Sequence, residues 1–428
     1  MNILLTGASG FIGRHILAEL ERGGHRVIAC CRHPDRLYFK SENTTALMLD
    51  FTDLTEVYAW LPHLTDIDVV INCVGIIGET QTQRFAAVHR QAPIALFRAA
   101  SQAGVKKVIQ LSALCADATA VTPYHLSKKT ADDALRKLEI DWYILQPSLV
   151  YGHGAHSMPF LQALSALPLL LTIDGGRQSL QPVHIDDVVA AVARCLQPSA
   201  PVRQTLALVG PEAINYIDLL KKLRRRLGKT SAPTVSLPEN LARPVAWLGK
   251  LLGEQVLNPD NIKMLQAGNS ASSAPLTQWL GRPPLSLSRQ LLRPADQAER
   301  WHAGLYFLRP LLRLSIAMVW LWSGLVSLFF YPHELSYDLL AGTGISGIAA
   351  PLALYGLALM DIALGLATLM LSRPRRLLLL QFGIVLLYTL TVGISLPEFW
   401  LHPFGPIVKN IPLLIALLVS IQLEGEQS

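Results

Sequence analysis

After residue 307 the chain becomes too apolar to be an ordinary soluble fold. Four stretches follow in succession, at about 311–331 (LLRLSIAMVWLWSGLVSLFFY), 350–371 (APLALYGLALMDIALGLATLML), 377–396 (LLLLQFGIVLLYTLTVGISL) and 405–423 (GPIVKNIPLLIALLVSIQL). At about 1.5 Å per residue the first three can cross a hydrocarbon layer about 30 Å thick. The fourth is shorter and opens with Lys409 and Pro412, but proline is tolerated in a first helical turn. A buried soluble helix could explain one such stretch, not four in a row. The pattern predicts an all-α, four-helix transmembrane domain over 307–428. Six basic and six acidic residues fall there, so the net charge of +6 belongs to the residues before it.

Basic residues orient these spans. Arg289, Arg293, Arg300 and Arg309 precede the first and Arg313 lies in its opening turn, and Arg373, Arg375 and Arg376 fill the loop between the second and third. The other two loops carry no Lys or Arg. The expectation is an integral multi-pass protein of a bacterial inner membrane with both termini cytoplasmic. Asn2 to Thr6 already reads as a strand, which leaves no cleavable leader to expect. Cys30, Cys31, Cys73, Cys115 and Cys195 show neither C-x-x-C nor Cys/His ligand spacing. They are expected as free thiols in a reducing compartment, with no metal site. Asp361 falls in the middle of the second span, which makes it a candidate intramembrane functional residue. A hydrogen-bonded carboxyl that ties helices together is the equal alternative. Lys409 is expected to snorkel to the interface, with pairing to Asp361 as the alternative.

The first part of the chain has a different grammar. It opens NILLTGASGFIGRHILAELERGGHRVIACCR: a short apolar strand, then Gly7, Gly10 and Gly13, an amphipathic helix and a second strand. Glycines so spaced let the backbone turn sharply, approach a pyrophosphate and open a helix whose N–H groups face the phosphates. A lone glycine motif is weak; between a strand and a helix at the start of a βαβ unit it is strong. The second strand ends Cys30-Cys31-Arg32 where a carboxylate would select NAD(H), so Arg32 favours NADP(H) over NAD(H). Further apolar runs at 69–75, 105–113 and 142–152, with a helix over about 92–103, predict an α/β Rossmann fold, a doubly wound parallel sheet. Functional residues then gather at the carboxyl ends of the strands, which puts Ser112 and the turn at 75–78 on the rim of the glycine loop.

TGASGFIG, LDFTD (49–53), NCVG (72–75), Ser112, Tyr124-x-x-x-Lys128, LQPSLVYG (145–152) and QPVHIDDV (181–188) run in this order over about 200 residues. Together they resemble the extended and atypical short-chain dehydrogenase/reductase superfamily, which includes NAD-dependent epimerase/dehydratase-like proteins. VINCVGIIGE and VKKVIQLSA look closest to the branch related to an accessory subunit of respiratory complex I. The tail is similar to DoxX-like four-helix membrane domains. The resemblance implies Tyr124 as general acid/base, Lys128 as its charged helper and a nicotinamide-ribose ligand, and Ser112 as the group positioning the substrate oxygen. It implies Gly7, Gly10, Phe11, Ile12, Gly13, Arg32, Asp50, Asn72 and Gly75 around the cofactor, with Asp50 at the adenine edge. Asn72 and Gly75 are expected to line the cleft, and His184 and Asp186 to be structural. One departure is Gln146, where the family usually has Arg.

The expected domains are 1–230, NAD(P)-binding; 231–306, substrate-side region and linker; and 307–428, membrane. The basic run KKLRRRLGK (221–229) reads as a solvated helix face with an apolar stripe of Leu219, Leu220, Leu223 and Leu227, or alternatively as apposed to anionic headgroups. No base-reading motif suggests nucleic acid. The first functional expectation is a membrane-anchored NAD(P)(H)-dependent oxidoreductase acting on a hydrophobic carbonyl or alcohol, with the membrane and a small-molecule substrate as its partners. The alternatives are a non-catalytic NADP(H)-binding assembly or redox-sensing protein of a membrane redox complex, and a sugar-type epimerase/dehydratase.

Overall fold

Short apolar runs alternate with amphipathic helices throughout the first of two units, Met1–Ala303. The computed structural model describes residues 1–155, 157–238, 259–371 and 374–425. Strands β1 (Asn2–Thr6), β2 (Arg26–Cys31), β3 (Thr44–Met48), β4 (Val69–Asn72), β5 (Lys107–Leu111), β6 (Asp141–Pro147) and β7 (Gln204–Leu208) form one seven-stranded sheet in the order β7, β6, β5, β4, β1, β2, β3. Every pairing is parallel. The helices that matter here are α1 (Phe11–Arg22), α2 (Ala92–Gln102), α3 (Pro123–Arg136), α4 (Ser157–Ala166), α5 (Ile185–Leu196) and α6 (Tyr216–Arg226).

The middles of the central strands, Ile3–Leu5, Val69–Ile71, Val108–Ile109 and Trp142–Leu145, are unbroken apolar runs because both faces are covered. Alternate residues part company: Ile3, Leu5 and Ile109 share a core with α1 and α5, whereas Leu4, Val70 and Val108 share one with α2 and α3. A third core joins α4 and α6 and includes Leu219, Leu220 and Leu223. The basic run is therefore a helix whose stripe is core. Its Arg224 is buried, donating to the carbonyls of Ser165 and Leu167 at 2.8 and 2.6 Å.

The described residues between 231 and 303 pack into this unit. Thr234–Leu237 pairs in parallel with Leu170–Ile173, Leu276 joins the sheet's core and Leu287 the third core. Residues 239–258 of the expected linker region lie outside the described ones.

The second unit runs from Gly304. Its helices of ten or more residues are α7 (Leu308–Leu325, prolonged to Phe330 by a wider π turn), α8 (His333–Gly342), α9 (Ala349–Met370), α10 (Arg375–Ser395) and α11 (Asn410–Gly425). Among the described residues, three helices, Leu308–Phe330, α9 and α10, are long and apolar enough to cross a membrane. The fourth expected span is shorter than the other three: α11 has 16 residues, about 24 Å. The stretch 332–349, read as a loop, carries α8. Arg373 lies outside the described residues.

This unit packs inside out, with Leu352 and Leu387 72% and 60% exposed and Ile316, Trp320, Leu364, Val385 and Leu417 in its core. Glycine permits the tightest crossing: a Cβ on Gly324 of α7 would stand 2.5 Å from the Ala358 carbonyl oxygen of α9. Arg309, at the start of α7, pairs with Glu424 near the end of α11 at 2.9 Å. Arg313 donates to the Thr368 carbonyl at the end of α9 at 2.6 Å, a favoured place for a cation. The first helix thus begins at the end of the bundle where α9 and α11 finish.

Candidate functional site

The sheet register sets the site. Thr6 stands opposite both Cys30 and Asn72, and Asn72 opposite Gln110, so β1, β2, β4 and β5 end on one rim. There β1 turns into α1 through the three glycines. Gly7 has φ +70°, and a Cβ on it would lie 2.9 Å from the Cys73 carbonyl carbon. A Cβ on Gly13 would lie 2.1 Å from the Gly7 oxygen. Gly10 caps α1 without a side chain, and Arg14 N is bonded to the Gly10 carbonyl at 3.0 Å. The N–H groups of Phe11, Ile12 and Gly13 belong to the first helical turn, which has no carbonyl of its own to bond. This cradle fits a dinucleotide's phosphates.

Asn72 is fully enclosed. Its carboxamide accepts from Thr6 Oγ1 at 2.7 Å and from Val74 N at 3.2 Å, and donates to Gln110 at 2.7 Å. It holds three strand ends together and does not line the cleft. Gly75, beyond it, is exposed, and a Cβ there would sit 3.2 Å from Lys128 Nζ. Arg32 is exposed just past β2. Asp50 spends Oδ1 on the N–H and hydroxyl of Thr52, at 2.9 and 2.8 Å.

Proline at its first turn and the Thr122 cap start α3, and α3 brings Tyr124 and Lys128 to the same rim. Lys128 is buried and donates to the carbonyls of Val74 and Leu111, at 3.2 and 3.0 Å, one from each strand end. Burial pushes this ammonium down to about 8, against the pull of Asp132. The Tyr124 ring lies edge-on to His89, Phe85 and His125 at 5.3, 5.9 and 5.2 Å. Burial, and the field of Asp132 after it, push its phenol up to about 12.

Two residues join them that were not singled out in the sequence. Asp132 is fully buried and accepts the Ser112 hydroxyl at 2.5 Å. Ser112, expected to hold a substrate oxygen, therefore faces a carboxylate instead. Burial raises Asp132 to about 6, opposed by the Ser112 bond and by Lys128. His89 accepts the Ile76 N–H at 2.9 Å through Nε2. Ser127 gives its proton to the Tyr124 carbonyl at 2.7 Å, so the contact from His89 Nδ1 to Ser127 at 3.1 Å makes Nδ1 the protonated nitrogen. Burial and then Lys128 hold this ring neutral. One further contact closes the rim: Arg14 and His15 of α1 reach the carbonyl oxygens of Gly154 and His153, at 2.8 and 3.1 Å. His184 caps α5 by accepting from Asp186 N at 3.2 Å.

Comparison with known proteins agrees with both halves. Residues 7–161 match the family described as NAD(P)H-binding, and residues 317–418 match the DoxX-like family. The chain joins an NAD(P)H-binding Rossmann domain to a DoxX-like domain. The rat mitochondrial NADH dehydrogenase (ubiquinone) 1 alpha subcomplex subunit 9 is 27% identical over 317 residues, 69% of this chain and 80% of that protein. Among solved structures, the Rossmann domain is similar to the NADPH-dependent quinone oxidoreductase QOR2 of Escherichia coli in complex with NADPH, with TM-score 0.56 and 18% identity over 68% of this chain and 99% of that one. It is likewise similar to MoeE5 in complex with UDP-glucuronic acid and NAD, with TM-score 0.52 and 21% identity over 69% and 97%. These two likenesses establish the fold.

Proposed function

We propose that the protein is a membrane-anchored, NADP(H)-dependent oxidoreductase acting on a hydrophobic carbonyl or alcohol, its Rossmann domain on the cytoplasmic side of a bacterial inner membrane. The observation that carries this reading is the pairing of Tyr124 with Lys128 one helical turn away, on the rim where the glycine cradle opens. Gly7, Gly10, Gly13 and the first N–H groups of α1 would hold the pyrophosphate, and Arg32 a 2′-phosphate. When bound, a reduced nicotinamide supplies a hydride. The residues' part is the proton. A phenol held near 12 is a neutral donor at physiological pH, suited to protonating a carbonyl oxygen as it gains charge. The Lys128 ammonium, one turn away, stabilises the phenolate left behind.

The test uses the full-length protein in detergent, with NADPH oxidation followed against a panel of hydrophobic carbonyl compounds. Tyr124→Phe should lower turnover by about 100-fold or more and leave NADPH affinity unchanged; undiminished turnover overturns the reading. A second reading, a cofactor-binding assembly or redox-sensing protein of a membrane complex, is favoured by the Ser112 hydroxyl being committed to Asp132 and by the likeness to the rat subunit. Under it, NADPH binds and no panel compound is turned over.

A further inference from the structure

The membrane unit holds polar atoms that its apolar surroundings leave unmatched. Trp320 Nε1, Asp361 Oδ1, Gln381 Oε1 and Tyr388 Oη are buried and have no hydrogen-bond partner among the described residues. Within hydrocarbon no bulk water can compensate such atoms, so they are costly to leave bare.

They are not scattered. Gln381 of α10 donates to Thr368 of α9 at 2.7 Å. These helices form an antiparallel hairpin, and seven residues further along each, two turns and about 10 Å, come Asp361 and Tyr388. A step of seven returns a helical residue to nearly the same stripe, which puts the carboxyl and the phenol at one level. From α7, Ser323 donates to Asp361 Oδ2 at 2.8 Å, and Trp320 lies one turn away on the same helix. Asp361 is 7% exposed. Tyr388 is half-buried, its hydroxyl enclosed while its ring reaches the bundle surface. Lys409 is exposed ahead of α11, and the Asp361 partner is Ser323.

We propose that this level of the bundle binds the oxygen-bearing head of a bilayer-soluble molecule, a hydroxyl or carbonyl on an otherwise apolar body. Tyr388 and Trp320 bring donors, the free oxygen of Asp361 faces the same level, and Ser323 fixes the other oxygen. A phosphate or carboxylate head does not suit it, because no described Lys or Arg contacts these four atoms. The Tyr388 ring, reaching the bundle surface, marks the side from which a lipophilic ligand enters.

The experiment heats the full-length protein in detergent with dodecane, dodecanol or tridecanone, and analyses its organic extract by mass spectrometry. Dodecanol or tridecanone should raise Tm saturably, and dodecane should not. Asp361→Asn and Tyr388→Phe should each raise the half-saturating concentration about fivefold or more, the loss of one hydrogen bond. Tyr388→Phe keeps the ring and its packing, so it reports even if the Asp361 variant folds poorly. A hydroxyl lipid enriched in the wild-type extract and lost from Tyr388→Phe identifies the bilayer as the source. A response to tridecanone alone points to a dissolved carbonyl compound. An equal response to dodecane overturns the proposal, as does a polar response that both variants keep. Silence with all probes and an extract unchanged by Tyr388→Phe overturns it too. No step depends on nucleotide or turnover.

Discussion

Asp132 stands four residues beyond Lys128 and eight beyond Tyr124, so one stripe of α3 carries a phenol, an ammonium and a carboxylate into the interior. The three are electrostatically linked: Asp132 sustains the charge of Lys128 and raises Tyr124. The groups facing Lys128 are the Val74 and Leu111 carbonyls, Asp132, Cys73 and His89. Since Lys128 titrates near 8, NADPH affinity should fall as pH rises through about 8, the ammonium being lost. Asp132→Asn keeps the side chain's shape and removes its charge, which lowers Lys128 further. We predict that the pH at which affinity is half lost moves down in this variant, measured by NADPH fluorescence between pH 6 and 9. An unmoved midpoint would show that Asp132 acts through packing alone. The glycine turn was legible in the sequence because its spacing between a strand and a helix has a direct geometric meaning. Tyr124 and Lys128 were singled out by the family resemblance, and their four-residue step says only that they share a face of α3. Asp132 was legible in principle, as a charge on a buried stripe four residues after Lys128. His89 was not, since its role arises from a turn 13 residues away that no local pattern announces.

At the scale of elements, the β1 turn and α1 succeed or fail together. A methyl on Gly13 would overlap a backbone oxygen, which no rotamer change can relieve. Gly13→Ala should therefore cost about 1–3 kcal/mol and abolish nucleotide binding. Gly24 offers the contrast: φ is +69° and nothing lies within 4 Å of its added Cβ. Gly24→Ala should cost about 1–2 kcal/mol through backbone strain while NADPH affinity stays the same. Thermal melts with and without NADPH separate the two effects. The strands were readable because burial on both faces demands continuous apolar runs. The membrane helices were readable by length, and α11 begins only at Asn410, after the short helix Glu398–Leu401, which leaves it shorter than its expected span. Tertiary neighbours alone decide what Asn72 does: a buried carboxamide between three strands looks the same in sequence as one lining a cleft.

At the largest scale, the pairing of Arg309 with Glu424 and the bond from Arg313 to the end of α9 imply that α7, α9, α10 and α11 form a closed up-and-down set. Arg309→Gln should loosen the junction of α7 and α11, which limited proteolysis in detergent would show as earlier cleavage near residue 424. On the Rossmann side, residues about 140 apart in sequence meet where Arg14 and His15 hold the carbonyls of His153 and Gly154. That latch lies across the first turn of α1, and an arriving pyrophosphate would compete for the Arg14 guanidinium. Seating the nucleotide would therefore free the 152–154 loop at the edge of the substrate side. For the proposed oxidoreductase, this predicts a compulsory sequence of arrival, nucleotide first and substrate second. Dead-end analogues of the substrate should then be uncompetitive against NADPH in wild type, and Arg14→Ala should turn that pattern mixed.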